Sequence, residues 1–205
     1  MPILTYIHDP MCSWCYGFST TYKALISRLP PAIRIDRLIG GLAPDSDEPM
    51  TAEMRDHVHL NWQRIEKRIP GVIFNYDFWT KCKPRRSTYP ACRAVIAARQ
   101  QDASLDMVMT AAIQDAYYQQ ARNPSDTSTL IELAAEIGLD QEQFKKSLDD
   151  PLTQQQLDKE ILASAQLGVS SFPTLRLQVG NSNWPIAINY TDATEMLDLI
   201  EMLVD

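Results

Sequence analysis

The feature that most constrains this chain is a pair of cysteines, Cys12 and Cys15, that lies between a short apolar run and a helix-like segment. The run from Ile3 to His8 predicts a buried strand, because nearly every position is apolar or aromatic. A helix is expected to begin at Cys12 and to continue to about Leu29, where two prolines end it. A strand that feeds a helix through Cys-x-x-Cys is the arrangement of a reversible dithiol.

The two cysteines are predicted to have different roles. Cys12 is expected at the helix N-cap, where unpaired backbone N–H groups and the positive end of the helix dipole favour the nucleophilic thiolate. Cys15 follows one turn later, on the same side of the helix. From there it can attack a mixed disulfide formed at Cys12, and this second step closes the redox cycle.

Composition narrows the class of protein. The chain has 205 residues, a hydrophobic content of 45% and a net charge of −7. This balance is typical of a globular protein, and the negative charge argues against a nucleic-acid partner. No apolar run approaches the ~20 residues that span a bilayer, so we expect no membrane partner. Because Met1 leads almost directly into a strand, without a signal-peptide core, the expected location is cytoplasmic. Cysteines there are more often catalytic or buried than parts of a disulfide framework.

The predicted elements begin in the order strand, helix, strand. Alternation of apolar and charged residues from Ile33 to Ile39 predicts the second strand, which Gly40 and Gly41 end. A parallel pair with a crossover helix is the simplest arrangement of these three elements. The period then changes, because residues 44–150 mostly follow helical spacing.

Capping residues mark the starts of several helices in this block. Thr51 and Asp126 are predicted N-caps, and Asp140 is expected to cap a short helix. Another helix is expected to begin near Thr88, with Pro90 in its first turn.

Strands return near the end of the chain. Thr174–Val179 alternates at period two and predicts a strand. A turn cluster at 180–183 precedes the expected partner strand of a hairpin, from Pro185 to Ile188. Thr191 is expected to cap a final helix.

Three stretches carry a resemblance to a known family: Asp9–Phe18 with its Cys-Ser-Trp-Cys motif, Arg86–Ala94, and Gly168–Thr174. Together with the order of elements they resemble the DsbA-like branch of the thioredoxin superfamily, and within it the FrnE-like cytoplasmic DsbA family proteins. The resemblance implies an α/β thioredoxin fold, β-α-β followed by α-β-β-α, that is interrupted by an all-helical insertion. It places the thioredoxin-like domain at residues 1–43 and 151–205 and the insertion at residues 44–150.

The same resemblance implies a substrate-binding loop beside the dithiol. Pro173 would be a cis proline, and the exposed backbone of Phe172 would pair with an extended substrate. Trp14, if it faces outward, would be an apolar platform for substrate beside Cys12. The residues alone leave open an ordinary trans bond at Pro173 and a Trp14 that folds onto the insertion.

Two polar residues follow the first strand, close to the redox loop. His8 and Asp9 are each a candidate for proton exchange with Cys15. The alternatives are that Asp9 accepts hydrogen bonds from backbone N–H groups of the loop, and that His8 is a half-buried strand residue.

The remaining cysteines, Cys82 and Cys92, suggest a second redox pair or two inert thiols. Cys82 stands between two lysines, which would lower its pKa if the thiol were exposed. Cys92 lies in a helical apolar pattern, where a free cysteine usually behaves as a small buried hydrophobe. No second close cysteine pair and no histidine at ligand spacing completes a zinc site, so we expect no metal.

The leading hypothesis is a thiol–disulfide oxidoreductase that reduces or isomerises disulfides of protein or small-molecule substrates. It would need no bound cofactor, and glutathione or a thioredoxin-type protein would supply electrons. DsbA itself is a periplasmic oxidant with a different dipeptide between its cysteines, so Ser13-Trp14 leaves the redox direction open.

Two alternatives belong to other classes. A glutathione-dependent isomerase or transferase, of the kappa-class or 2-hydroxychromene-2-carboxylate isomerase type, shares the interrupted fold. Those enzymes usually have serine at the first position and lack the paired cysteines that this chain contains. A chaperone-like binding module would need only the cleft and would tolerate loss of Cys12.

Overall fold

A four-stranded mixed sheet forms the centre of the protein, whose computed structural model describes residues 1–204. Its strands are β1 (Ile3–His8), β2 (Arg34–Ile39), β3 (Thr174–Val179) and β4 (Ser182–Ile186), in the order β2-β1-β3-β4. β1 pairs parallel with β2 and antiparallel with β3, and β3 and β4 form an antiparallel hairpin. Helix α1 (Ser13–Arg28) connects the parallel pair, as the sequence predicts.

One hydrophobic core lies between the sheet, α1 and the last helix, α9 (Thr194–Val204). The Tyr6 ring of β1 stacks on Tyr22 of α1, with 4.1 Å between the ring centroids. Burial of each large apolar side chain here stabilises the fold by about 1.5–3 kcal/mol. The core is formed by Leu4, Tyr6, Phe18, Tyr22, Leu25, Ile33, Leu175, Leu177, Ile186, Ala193, Met196, Leu197 and Ile200.

The residues between the two sheet segments are mostly helical. The helices are α2 (Ala52–Arg68), α3 (Phe78–Lys81), α4 (Tyr89–Gln101), α5 (Asp106–Tyr118), α6 (Thr127–Glu136), α7 (Gln141–Asp149) and α8 (Pro151–Gln166). Helix α8 runs from this block back to the sheet and packs against both α4 and β2.

A second core lies inside the helical block, around Trp62 of α2. The Trp62 ring is fully buried and stacks on Phe74 at a centroid distance of 4.8 Å. Helix α4 is buried along most of its length, because its small apolar side chains allow close approach of α5, α7 and α8. These α4 side chains are Ala91, Cys92, Ala94, Val95, Ile96, Ala97 and Ala98.

The fold class predicted from sequence is confirmed: the protein is α/β, with a thioredoxin fold interrupted by helices. The ends of β1 and β3 lie where the patterns place them. Cys12 is the N-cap of α1, Thr51 accepts a hydrogen bond from the Met54 N–H at 3.2 Å, and Asp140 accepts one from the Gln143 N–H at 2.8 Å. The division into residues 1–43 with 151–205 and residues 44–150 stays a prediction.

Two local predictions are wrong, and a third is confirmed only in position. The hairpin turn is shorter than expected, so β4 begins at Ser182 rather than at Pro185. Helix α9 begins at Thr194, because Asn189 Oδ1 accepts hydrogen bonds from the backbone of Thr191 and holds it in a turn. Asp126 is the N-cap residue of α6 as predicted, but it makes no side-chain capping bond, and its carboxylate pairs with Arg85 at 2.7 Å.

No helix within residues 1–204 has the combination of length and apolar character that a membrane span requires.

A buried ion network joins the helical block to the sheet. Arg99 of α4 contacts Asp106 and Glu160, each at 2.6 Å, and both carboxylate side chains are only 4% exposed. The second oxygen of Glu160 accepts a hydrogen bond from the Ile39 N–H of β2 at 2.8 Å. Arg99 therefore balances the charge of two buried carboxylates. One of them, Glu160, also forms a hydrogen bond to the edge strand β2.

We expect Arg99→Ala to reduce the free energy of unfolding by about 3–5 kcal/mol, because it leaves buried charges without a partner. Arg122→Ala is the matched control, since Arg122 also pairs with two carboxylates but these are exposed. The control should lose no more than about 1 kcal/mol. Urea unfolding curves measure both, and equal losses would contradict the role given to Arg99.

Candidate active site

The two paired cysteines differ in their access to solvent. Cys12 is 7% exposed at the start of α1, whereas Cys15 is fully buried one turn further in. The backbone places Cys12 at the helix start, where its N–H bonds to the Asp9 carbonyl at 3.1 Å and its carbonyl accepts from the Tyr16 N–H at 3.0 Å. Both cysteines are free thiols. Of the two sulfur-bearing side chains, only that of Cys12 therefore reaches the surface.

The loop before β3 lies against Cys12. The Phe172–Pro173 bond is cis, which confirms the expectation from the family resemblance. The Cys12 thiol donates to the Phe172 carbonyl at 3.5 Å, across 160 residues of sequence. The cis-proline loop and the redox loop thus form one surface.

Gly40 makes the position of that loop possible. It follows β2, and a Cβ atom added to it would overlap the Phe172 ring. The Gly40 backbone does not have a positive φ, so the ring of Phe172 and not the backbone conformation excludes a side chain here. The sequence pattern predicts Gly40 only as the end of a strand and gives no sign of its contact with Phe172.

Asp9 is buried directly beneath the redox loop. Its Oδ1 accepts from the Met11 N–H at 2.8 Å, and its Oδ2 accepts from the Leu42 N–H and from the Thr88 hydroxyl, each at 2.7 Å. The Cys92 thiol lies 3.4 Å from the same oxygen. Burial raises the pKa of Asp9, and these donors oppose that shift. These contacts match the alternative prediction, in which Asp9 accepts hydrogen bonds from backbone N–H groups of the loop. Proton exchange between Asp9 and Cys15 stays a prediction.

His8 is fully buried, not half-buried, at the end of β1. Its ring stacks on Tyr6 at a centroid distance of 4.7 Å, and neither ring nitrogen has a partner among the described residues. Burial lowers the pKa of His8 from 6.5 to about 4. The ring is therefore neutral at pH 7, and a role in proton exchange stays a prediction.

Burial raises the pKa of Cys15, Cys82 and Cys92. Burial raises the pKa of Cys15 well above its ordinary value, and the neighbouring Cys12 adds to that shift. Burial and Asp9 similarly raise the pKa of Cys92. Cys82 is half-buried, and its thiol donates to the Ala121 carbonyl at 3.0 Å. Burial, together with the charge of Asp126, raises the pKa of Cys82, so the lowering expected from its lysine neighbours does not occur. Among residues 1–204, no group of three metal-ligating side chains is present.

A cleft of about 280 Å³ opens beside Cys12. Trp14 lies half-buried at its edge, where it contacts the helical block and also the Tyr190 ring at a centroid distance of 5.1 Å. It is therefore neither fully outward-facing nor buried under the insertion. The cleft is lined by Met11, Cys12, Ser13, Trp14, Leu42, His57, Val58, Asn61, Trp62, Arg86, Tyr117, Ser170, Ser171 and Phe172.

Comparison with known proteins decides the family. A model of the DSBA-like thioredoxin domain matches residues 4–192. The chain belongs to the DSBA-like thioredoxin domain family. This confirms the family predicted from the three sequence stretches.

Two solved structures are similar over almost the whole chain. A protein from Nitrosomonas europaea, provisionally described as a protein disulfide isomerase, is 25% identical with a TM-score of 0.86, covering 99% of this chain and 97% of the other. The cytosolic disulfide reductase DsbM from Pseudomonas aeruginosa is 25% identical with a TM-score of 0.78, covering 98% of each chain. DsbM has also been solved with glutathione.

A curated relative is the ClpXP adapter protein SpxH from Bacillus subtilis, which is 27% identical over 169 residues. These residues are 82% of this chain and 55% of SpxH. The chain therefore spans about half the length of that relative.

We expect Gly40→Ala to displace the Phe172 ring and so to move the carbonyl beside Cys12. Disulfide reduction should fall on the order of tenfold to a hundredfold, because small misplacements at a reacting centre have such effects. The double variant Gly40→Ala/Phe172→Ala should recover part of the loss. Gly138→Ala is the control for backbone strain without a steric clash, since the φ of Gly138 is +82° and no atom lies within 4 Å of the added Cβ. Full activity in Gly40→Ala would contradict the steric argument.

The low pKa of His8 predicts a loss of stability in acid. The unfolded chain binds this proton near pH 6.5 but the folded protein only near pH 4, so stability falls as the pH decreases between these values. The contribution reaches about 3 kcal/mol. Between pH 7 and pH 4.5, the free energy of unfolding should decrease less in His8→Phe than in the unaltered protein. An equal decrease in both would show that His8 is not the cause.

Proposed function

We propose that the protein is a cytoplasmic thiol–disulfide oxidoreductase that works mainly as a disulfide reductase. The observation that carries the proposal is the placement of Cys12 at the solvent end of α1, beside the Phe172 carbonyl, with Cys15 buried one turn behind it. The similarity to DsbM, described as a cytosolic disulfide reductase, supports both the direction and the location.

The proposed reaction has two exchange steps. The Cys12 thiolate attacks one sulfur of the substrate disulfide, forming a mixed disulfide and releasing the other sulfur, which takes up a proton. Cys15 then attacks the sulfur of Cys12, the bond between Cys12 and the substrate breaks, and the proton of Cys15 passes to the departing substrate thiolate, which is released as a thiol. Two electrons pass from the dithiol to the substrate, and the protein is left with a Cys12–Cys15 disulfide.

Glutathione is the proposed electron donor for the next cycle. Two glutathione molecules would reduce the Cys12–Cys15 disulfide and leave as one molecule of glutathione disulfide, so electrons balance. The structure of DsbM with glutathione supports this choice. A thioredoxin-type protein is the alternative donor. Isomerase activity would use the same first step, with the mixed disulfide attacked by another substrate thiol.

A glutathione-dependent isomerase or transferase fits the site less well. Such an enzyme binds the thiolate of glutathione at the helix start and needs no second cysteine, whereas Cys15 lies one turn from Cys12 here. The likeness to SpxH supports a different second candidate, an adapter that binds a protein without turnover. Adapter activity would survive the loss of both cysteines.

The separate roles of the cysteines can be tested with two serine variants. Cys12→Ser should abolish turnover, because a serine hydroxyl is too weakly acidic to replace the thiolate. Cys15→Ser should still be attacked at Cys12 and should accumulate as a mixed disulfide with the substrate. Mass spectrometry before and after added reductant measures this adduct.

Other outcomes would assign the chemistry differently. Normal turnover of Cys15→Ser with glutathione would indicate a monothiol route and favour the glutathione-dependent class. Trapping by Cys12→Ser instead would reverse the two roles.

A further inference from the structure

The charge of the cleft beside Cys12 differs from that of the whole chain. The protein has 26 acidic residues and a net charge of −7, yet no carboxylate is among the described residues that line this cleft. The lining has instead one arginine, Arg86, together with His57, Asn61 and the two serines of the cis-proline loop. A site of this composition attracts negative charge in its ligand.

Arg86 differs from the other half-buried arginines of the helical block. The others, Arg85, Arg93, Arg99 and Arg122, all pair with a carboxylate at 2.6–3.0 Å. Arg86 makes no ion pair or hydrogen bond with any residue in the described part of the chain, and it lines the cleft. Its planar guanidinium is suited to bind a carboxylate through two hydrogen bonds.

Its neighbour Arg85 shows that the contrast is local. Arg85 donates to the Ser125 carbonyl at 2.6 Å and to Asp126 at 2.7 Å, so it is held in the fold. Arg86 has the next position on the same loop but is directed to the cleft. One arginine of the pair is structural, and the other remains available to a ligand.

A second cation lies beyond Trp14. The Arg68 guanidinium is 5.7 Å from the centre of the Trp14 ring and 5.3 Å from that of Tyr190. It is exposed and forms no ion pair with a described residue. Arg68 lines a separate groove together with Glu195, a carboxylate that accepts a hydrogen bond from Asn189 at 3.4 Å and forms no ion pair with Arg68. Arg86 and Arg68 thus belong to the surface around Cys12, one in the cleft and one beyond its Trp14 edge.

We propose that this site selects disulfides that carry a carboxylate close to the sulfur, with Arg86 as the main binding residue and Arg68 as the second. The inference rests on the proposed oxidoreductase function and defines its substrate class. The cleft, at about 280 Å³, lies at the small end of ligand sites. It fits a cysteine with its immediate neighbours, as in a glutathionyl adduct or a small acidic disulfide.

Three small disulfides of similar size but different charge test this preference. They are dithiodipropionate, which is anionic, bis(2-hydroxyethyl) disulfide, which is neutral, and cystamine, which is cationic. We expect kcat/KM to decrease in that order, and the advantage of the anion to shrink as salt is added. The reference is the neutral compound, whose reduction needs Cys12 and Cys15 but no arginine.

Arginine variants distinguish a loss of anion binding from a general loss of activity through misfolding. Arg86→Gln should reduce kcat/KM for dithiodipropionate by about tenfold, the effect of losing one charge-assisted contact, while the neutral disulfide changes less than about twofold. Arg86→Lys should retain part of the preference, and Arg68→Gln should show a smaller loss than Arg86→Gln. Lys67→Gln is the matched control, because it removes the same charge at an exposed position of α2 that does not line the cleft beside Cys12.

The outcomes distinguish this inference from the proposed function. If the neutral disulfide is reduced but Arg86→Gln affects all three substrates equally, or none of them, the selectivity is refuted and the redox function stands. If none of the three is reduced, the proposed function fails. Calorimetric binding of dithiodipropionate to Cys12→Ser then still decides the inference. Equal affinity with and without Arg86→Gln would overturn it.

Discussion

The geometry of the site depends on one buried carboxylate. Asp9 accepts hydrogen bonds from Met11 in the redox loop, from Leu42 after β2 and from Thr88 at the start of α4. A buried acid is tolerated only when donors surround it, so these three segments must stay together for the fold to be stable. The same contacts set where Cys12 lies. Stability and reactivity in this protein therefore share a single group of atoms.

Sequence reasoning predicted the parts of the fold that depend on local pattern. β1 and β3 follow from apolar periodicity, and the start of α1 follows from the cysteine pair. Contacts between segments that are distant in the sequence could not be predicted from these patterns. The Cys12 thiol and the Phe172 carbonyl are 160 residues apart, and the Asp9–Thr88 bond spans 79. No periodicity encodes such pairs, and only the family resemblance brought Pro173 to the site.

Individual side chains were harder still to place. Arg85 and Arg86 are identical in type and adjacent in sequence, yet one pairs with Asp126 and the other lines the cleft. Their difference arises from the direction of the loop backbone, which no pattern of residue types records. Asp126 shows the same effect, because a carboxylate expected to cap α6 contacts an arginine instead. Charge on a surface is thus a property of the fold more than of the composition.

Helix α4 has a mechanical consequence. Its first turn is tied to the redox loop through the bond between Thr88 and Asp9, and its far half is tied to β2 through Arg99 and Glu160. Because both ends of α4 make buried polar contacts, a movement of the helical block away from the sheet would break at least one of them. The first of these contacts holds the start of α4 close to the redox loop that carries Cys12. Under the proposed function, a disulfide buried inside a folded protein would have to be exposed by local unfolding before it could reach the Cys12 thiol, which is itself only 7% exposed.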